Sequence, residues 1–132
     1  MQDCIFCKIA KGEIPCHKIY ENQDIISFLD IRPLSKGMAL VISKKHLPAN
    51  FPDTDPQILS KAVKVAHKVS GMIKRSLDTE RVFLAVEGID VPHFHFKLYP
   101  SHGKLPREIL NGSPIMTSSE ELEKLAEKIR TA

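Results

Sequence analysis

The chain lacks any apolar run that approaches the ~18 residues needed to cross a membrane as a helix, so a spanning protein is not expected. Residues 1–20 also lack the basic start and apolar centre of a signal peptide, because Asp3, Cys4 and Glu13 fall between short apolar pieces. Both absences point to a soluble, cytoplasmic protein. Cysteine is scarce, with three residues in all, two of them in Cys4-Ile5-Phe6-Cys7. An odd, low count argues against a disulfide framework and fits a reduced compartment in which the pair has a metal or redox role. A long basic run is missing, and so is a basic stripe interleaved with aromatics, which argues against a nucleic-acid partner. The net charge of +3, from 19 basic and 16 acidic residues, does no more than allow an anionic ligand. Internal repeats and low-complexity segments are absent.

What is present is the make-up of a single domain over residues 1–132. With 42% hydrophobic and 27% charged residues, the chain is long enough to bury a core without disulfides. The most informative stretch is Val91-Pro92-His93-Phe94-His95-Phe96-Lys97-Leu98-Tyr99-Pro100, in which polar and apolar residues alternate. In a strand, successive side chains point to opposite faces. His93, His95 and Lys97 then share one face, and Phe94, Phe96 and Leu98 the other. The apolar face is expected to be core and the polar face a working surface; the competing reading is a half-exposed strand whose basic residues are merely solvated. Burial of the apolar face, at roughly 1.5–3 kcal/mol per large side chain, fixes the register, since a slip by one residue would bury the polar groups instead.

The other elements follow from composition and spacing. Residues 4–10 read as a short helical turn stopped by Gly12 and Pro15. Residues 17–22 and 25–31 are β-prone runs joined tightly at Gln23-Asp24, hence a hairpin. Residues 38–43, nearly all apolar, predict a central strand with His46 at its end. Asp55-Pro56 opens a long helix, with Leu59, Ala62, Ala66, Val69 and Ile73 at helical spacing. Its other face carries Lys61, Lys64, His67 and Lys68, and His67 is read as solvated. Residues 81–86 form a fourth strand in a hairpin with the His93 strand, the fifth. Residues 101–113 read as a loop, and Ser118 with Glu121 as a capping box for a last helix through Leu122, Leu125, Ala126 and Ile129.

Taken in order, Cys4-x-x-Cys7, Asp30-Ile31-Arg32-Pro33, Gly37 with Leu40-Val41-Ile42-x-Lys44-Lys45-His46, and Val91-Pro92-His93-x-His95 resemble the motifs of the histidine-triad (HIT) superfamily, over residues 4–100. The resemblance implies an α+β fold with a five-stranded antiparallel sheet, a long helix and a C-terminal helix, and a homodimer whose two sheets join. It also implies a nucleotide substrate, most simply a purine mononucleotide conjugate, that is hydrolysed or transferred at its α-phosphate through a covalent histidine intermediate. By the same resemblance His95 is the nucleophile and Asp30 takes the ribose hydroxyls. Ile5, Phe6, Ile9, Phe28 and Ile31 would form the base pocket, although apolar residues in such segments are more often plain core.

Two positions depart from the family pattern. The third histidine is Lys97, and the usual Gln-Ser/Thr pair before the motif is Ile89-Asp90. Lys97 is expected to bind phosphoryl oxygens and to lower the proton affinity of His95, favouring transfer chemistry or slow hydrolysis over fast hydrolysis; the competing expectation is that its long stem turns to solvent and the site has decayed. Asp90 would repel a phosphate unless turned away. A zinc-containing nucleotide-binding adaptor that has lost turnover is therefore the alternative to an enzyme. Cys4, Cys7, His46 and His93 are assigned to a structural zinc, since two thiolates and two imidazoles suit its tetrahedral geometry. Cys16 is left as a lone buried thiol.

Overall fold

The computed structural model describes residues 3–132. In chain order the elements are α1 (Ile5–Ala10), β1 (Lys18–Glu21), β2 (Ile25–Leu29), β3 (Ala39–Ser43), α2 (Pro56–Leu77), β4 (Val82–Ala85), β5 (His95–Pro100), α3 (Pro106–Leu110) and α4 (Ser119–Arg130). The strands form one five-stranded sheet in the order β1-β2-β3-β5-β4, with every neighbouring pair antiparallel. This is an α+β arrangement. The nearly continuous apolar run expected to be central is β3, buried along its whole length between β2 and β5. No helix among the described residues is long and apolar enough to cross a membrane.

Two helices cover one face of the sheet. On α2, Ala62, Val65, Ala66, Val69, Met72 and Ile73 make the buried stripe, and they meet Phe94, Phe96 and Leu98 from the β5 stretch. Leu122, Ala126 and Ile129 of α4 close the same core. The carboxylate of Asp55 accepts the Gln57 N–H at the start of α2, and the Ser118 hydroxyl accepts the Glu121 N–H at the start of α4, so both N-caps form. The Glu121 carboxylate meets the Ser118 hydroxyl rather than its backbone N–H, so the expected capping box is only half made. At Gly37 the chain turns with φ +91°, and an added Cβ would collide with Leu77.

The opposite face is also buried, which the alternation alone does not show. Phe6 and Ile9 of α1 pack over Ile26, Phe28, Leu40, Ile42 and Tyr99, forming a second core. His93, His95 and Lys97 lie at its border and are buried as well. The working surface is thus the wall of a recess beneath α1, and the solvated-strand reading does not hold. His67 is exposed, as expected.

Several boundaries differ from expectation: β1 is Lys18–Glu21 rather than residues 17–22, and β2 ends at Leu29 rather than at residue 31. β5 starts at His95 rather than at residue 91, because Phe94 sends its N–H to the Leu47 carbonyl and His93 to that of Val91, outside the ladder. β4 is shorter than residues 81–86. The segment read as a loop contains α3, whose Leu105 N–H is capped by Glu108 at 3.0 Å and whose first position is Pro106. Replacing Phe96, 2% exposed at the centre of the α2-side core, by Ala should lower unfolding free energy by about 3–5 kcal/mol, read as a fall in the urea midpoint with little change in slope.

Candidate functional site

The recess is a cavity of about 530 Å³. α1 contributes Ile5, Phe6 and Ile9; β2 and the residues after it contribute Phe28, Asp30 and Ile31; β5 contributes His95 and Lys97. All eight residues expected for nucleotide binding and catalysis therefore line one space. Ile5 and Ile31 are the exposed members, at 44% and 66%, and form its rim. Leu34, Met38, Leu40, Val91 and Tyr99 also line it and were missed. For Met38 and Leu40 the signal was available, since every second residue of β3 shares the face of Phe28. Cys16 was expected to be fully buried, but it is only partly buried, on the cavity wall; burial still pushes its thiol up.

Backbone contacts orient the polar groups. Asp30 follows the last residue of β2, and its Oδ1 accepts the Arg32 N–H at 2.8 Å, an Asx turn that holds the carboxylate. The Nδ1–H of His95 donates to the His93 carbonyl at 2.7 Å. Its Nε2 has no hydrogen-bond partner among the described residues, so the lone pair belongs to the nitrogen left for the cavity. Phe6 meets the ring edge-on, with centroids 5.2 Å apart. Burial lowers the proton affinity of His95 below the usual histidine value; the His93 carbonyl opposes that shift and the Lys97 charge adds to it. Burial and the Lys97 charge both favour the neutral ring.

Lys97 does not turn to solvent. Its side chain is 11% exposed, and Nζ lies 2.6 Å from Asp90 Oδ2 and 2.9 Å from Glu87 Oε1. Burial opposes its charge, but the two carboxylate contacts outweigh burial and hold the proton more tightly than in an ordinary lysine. The hydrogen bond from Lys97 holds the Asp90 carboxyl below its usual range. Asp90 is thereby drawn to the ammonium, and the three side chains together carry one net negative charge. One of the three N–H donors of Lys97 is left over.

Beside this wall, Cys4, Cys7, His46 and His93 bring four donor atoms within 4.8 Å of one another. Cys4 Sγ lies 3.3 Å from His93 Nδ1, Cys7 Sγ 3.3 Å from His46 Nδ1 and 3.5 Å from His93 Nδ1. Zinc–sulfur and zinc–nitrogen bonds of about 2.3 and 2.0–2.1 Å at tetrahedral angles separate ligands by about 3.5 Å, so the donor spacing fits the ion. The chemistry of the donors fits too. His93 Nε2–H donates to the Ser43 carbonyl at 2.6 Å, which leaves Nδ1 with the lone pair turned to the sulfurs. Burial and the neighbouring Cys4 push the Cys7 thiol up, and a cation would relieve this by stabilising the thiolates.

A family model described as HIT domain matches residues 11–103. An uncharacterised HIT-like protein of Borreliella burgdorferi is 36% identical over 107 residues, covering 76% of this chain and 76% of that protein. The adenosine 5'-monophosphoramidase of Saccharomyces cerevisiae is 34% identical over 129 residues, covering 96% of this chain and 80% of its own length. A crystal structure of a HIT-like protein from Bartonella henselae superposes with a TM-score of 0.84 at 31% identity, over 99% of this chain and 96% of that one. Two-bond proton–nitrogen spectra at pH 7 should show His95 as the Nδ1–H tautomer and His93 as the Nε2–H tautomer; an Nε2–H signal from His95 would contradict the site geometry.

Proposed function

This chain belongs to the HIT family, and from that premise we propose that it is a nucleotide-binding hydrolase that cleaves a nucleoside monophosphate conjugate at its α-phosphorus through a covalent intermediate on His95. The observation that carries this reading is His95, oriented by a backbone carbonyl with Nε2 left for the cavity, on the wall of the space that also holds Asp30 and the apolar residues. The purine fits the slot between Ile5, Phe6, Ile9, Phe28 and Ile31, and the ribose hydroxyls donate to the free oxygen of Asp30. In the first step Nε2 forms a bond to phosphorus as the bond to the leaving group breaks, and the leaving group takes the electron pair. The His93 carbonyl holds the Nδ1 proton and stabilises the positive charge that develops on the ring. In the second step water adds to phosphorus, the P–N bond breaks with its electron pair returning to Nε2, and the proton that the water loses balances the one taken up by the departing amine, so His95 is restored with its Nδ1–H in place.

Lys97 supports the reaction with its remaining N–H, directed at a phosphoryl oxygen. With Glu87 and Asp90 on its other side and Arg32 also on the cavity wall, the phosphate site holds charges of both signs. Hydrolysis rather than transfer rests on the likeness to the adenosine 5'-monophosphoramidase of Saccharomyces cerevisiae. Adenosine 5'-monophosphoramidate is the first substrate to try. Turnover should be present and should fall at least about a thousandfold in His95→Ala, given what removal of a covalent nucleophile costs in other enzymes. Binding of adenosine monophosphate without turnover would support the adaptor reading instead. Lys97→Ala should weaken catalysis more than binding; unchanged rates and affinity would remove Lys97 from the site.

Cys4, Cys7, His46 and His93 would hold zinc, which when bound supplies a cross-link between α1, the segment after β3 and the entry to β5. Protein purified without chelator should contain about one zinc per chain and should melt at lower temperature once the metal is removed, because ligation of this kind contributes to folding. Zinc content unchanged in Cys4→Ser would sink the assignment. The homodimer is proposed to form at β4, an edge strand of Val82-Phe83-Leu84-Ala85 that carries none of the charges that normally guard an exposed edge. Light scattering should give twice the chain mass, and Leu84→Lys should return it to one.

A further inference from the structure

α2 carries Lys61, Lys64, Lys68, Lys74 and Arg75 and no Asp or Glu. The chain totals 19 basic and 16 acidic residues, so everything outside α2 has 14 basic against 16 acidic. The positive charge of the molecule therefore resides on this helix. At about 100° and about 1.5 Å per residue, Lys61, Lys64, Lys68 and Arg75 fall within roughly 60° of one another and extend over about 21 Å. All four are exposed. Lys61 touches Asp24 at 3.1 Å, Lys68 lies over the Tyr20 ring at 4.6 Å, and Arg75 lies back along Gly71. Lys64 has no ion-pair partner among the described residues. Like charges at i,i+4, as at Lys64 and Lys68, destabilise a helix; among the described residues Asp24 alone makes an ion pair with this row, and Asp78 and Glu80 lie near its Arg75 end.

We propose that α2 is a docking surface for the phosphate backbone of duplex nucleic acid, contacted through Lys61, Lys64, Lys68 and Arg75 on the face of the sheet opposite the His95 cavity. Charge complementarity selects the occupant. A duplex presents about one negative charge per 1.7 Å of its axis, dense enough to engage all four cations at once. A membrane surface would call for apolar residues beside the cations, but the apolar stripe of α2 is consumed by the core. A protein partner would call for an apolar anchor among the charges, and Val63, the large apolar residue of the helix that is most exposed, at 52%, lies outside the row. Single strands bind through stacked aromatics; the one aromatic here, Tyr20, is covered by Lys68. The row thus differs from the aromatic-bearing stripe sought in the sequence, and suits a duplex instead.

The test is fluorescence anisotropy of the full chain with a labelled duplex of arbitrary sequence at several salt concentrations. Four phosphate contacts predict a log–log salt slope of about −3.6. Lys64→Glu combined with Arg75→Glu should weaken binding at least tenfold at low salt and reduce the slope to about half, while turnover at His95 stays unchanged. No binding at low salt overturns the proposal, as does binding that the double reversal leaves intact. Tighter binding to a single strand, or equal binding to phosphatidylserine vesicles with the same dependence on the reversal, overturns the choice of partner. None of these outcomes depends on the chemistry at His95.

Discussion

Phe94, Phe96 and Leu98 lock the β5 stretch against α2, and the register they set decides where the polar groups of that stretch point. Because the side-chain period of a strand is two, burying these three on one side obliges His95 and Lys97 to the other. The pairings of Ile42 with His95 and Leu40 with Lys97 in the adjacent strand then fix their depth in the sheet. The apolar half of the strand thus positions the polar half. A loss of packing on the α2 side would reach the cavity as a change of geometry, even though no α2 residue lines it.

α1 is a short helix with little stability of its own. Its place over the sheet comes from Phe6 and Ile9 in the second core and from the two sulfurs at Cys4 and Cys7, which meet His46 and His93. The same helix walls the cavity with Ile5, Phe6 and Ile9. His93 joins the two sites. Its ring faces the cysteines while its backbone carbonyl holds the Nδ1–H of His95, two residues along. Whatever steadies the ring of His93 also steadies the acceptor that selects the tautomer of His95.

Charge is divided across the sheet. On the cavity side, Lys97 is compensated by Glu87 and Asp90, so an almost buried ammonium is tolerated next to a neutral imidazole. On the α2 side, the lysines are exposed and largely uncompensated, and solvent screens them. The same residue type thus does two kinds of work. The buried lysine is held by geometry and contact, and the exposed ones contribute a summed field.

Much of this was legible from residue order alone. The alternation through Phe94 and Leu98, the continuous apolar run of β3, the caps at Asp55 and Ser118 and the helical spacing along α2 each reflect a local rule in which neighbouring residues settle the outcome. The candidate site residues followed from four short motifs in order, and the structure brings those residues to one wall and one cluster. Other features depended on residues distant in the chain. α1 covers the polar face because Phe6 finds Phe28 and His95, and no local pattern encodes that contact. Lys97 stays inside because Glu87 and Asp90 meet it across the turn between β4 and β5, where a lone lysine stem would have been free to reach water. Cys16 stands at the cavity wall because the segment after α1 passes its mouth. Local periodicity determines which face a side chain takes, whereas burial and pairing arise only when separate elements close on one another.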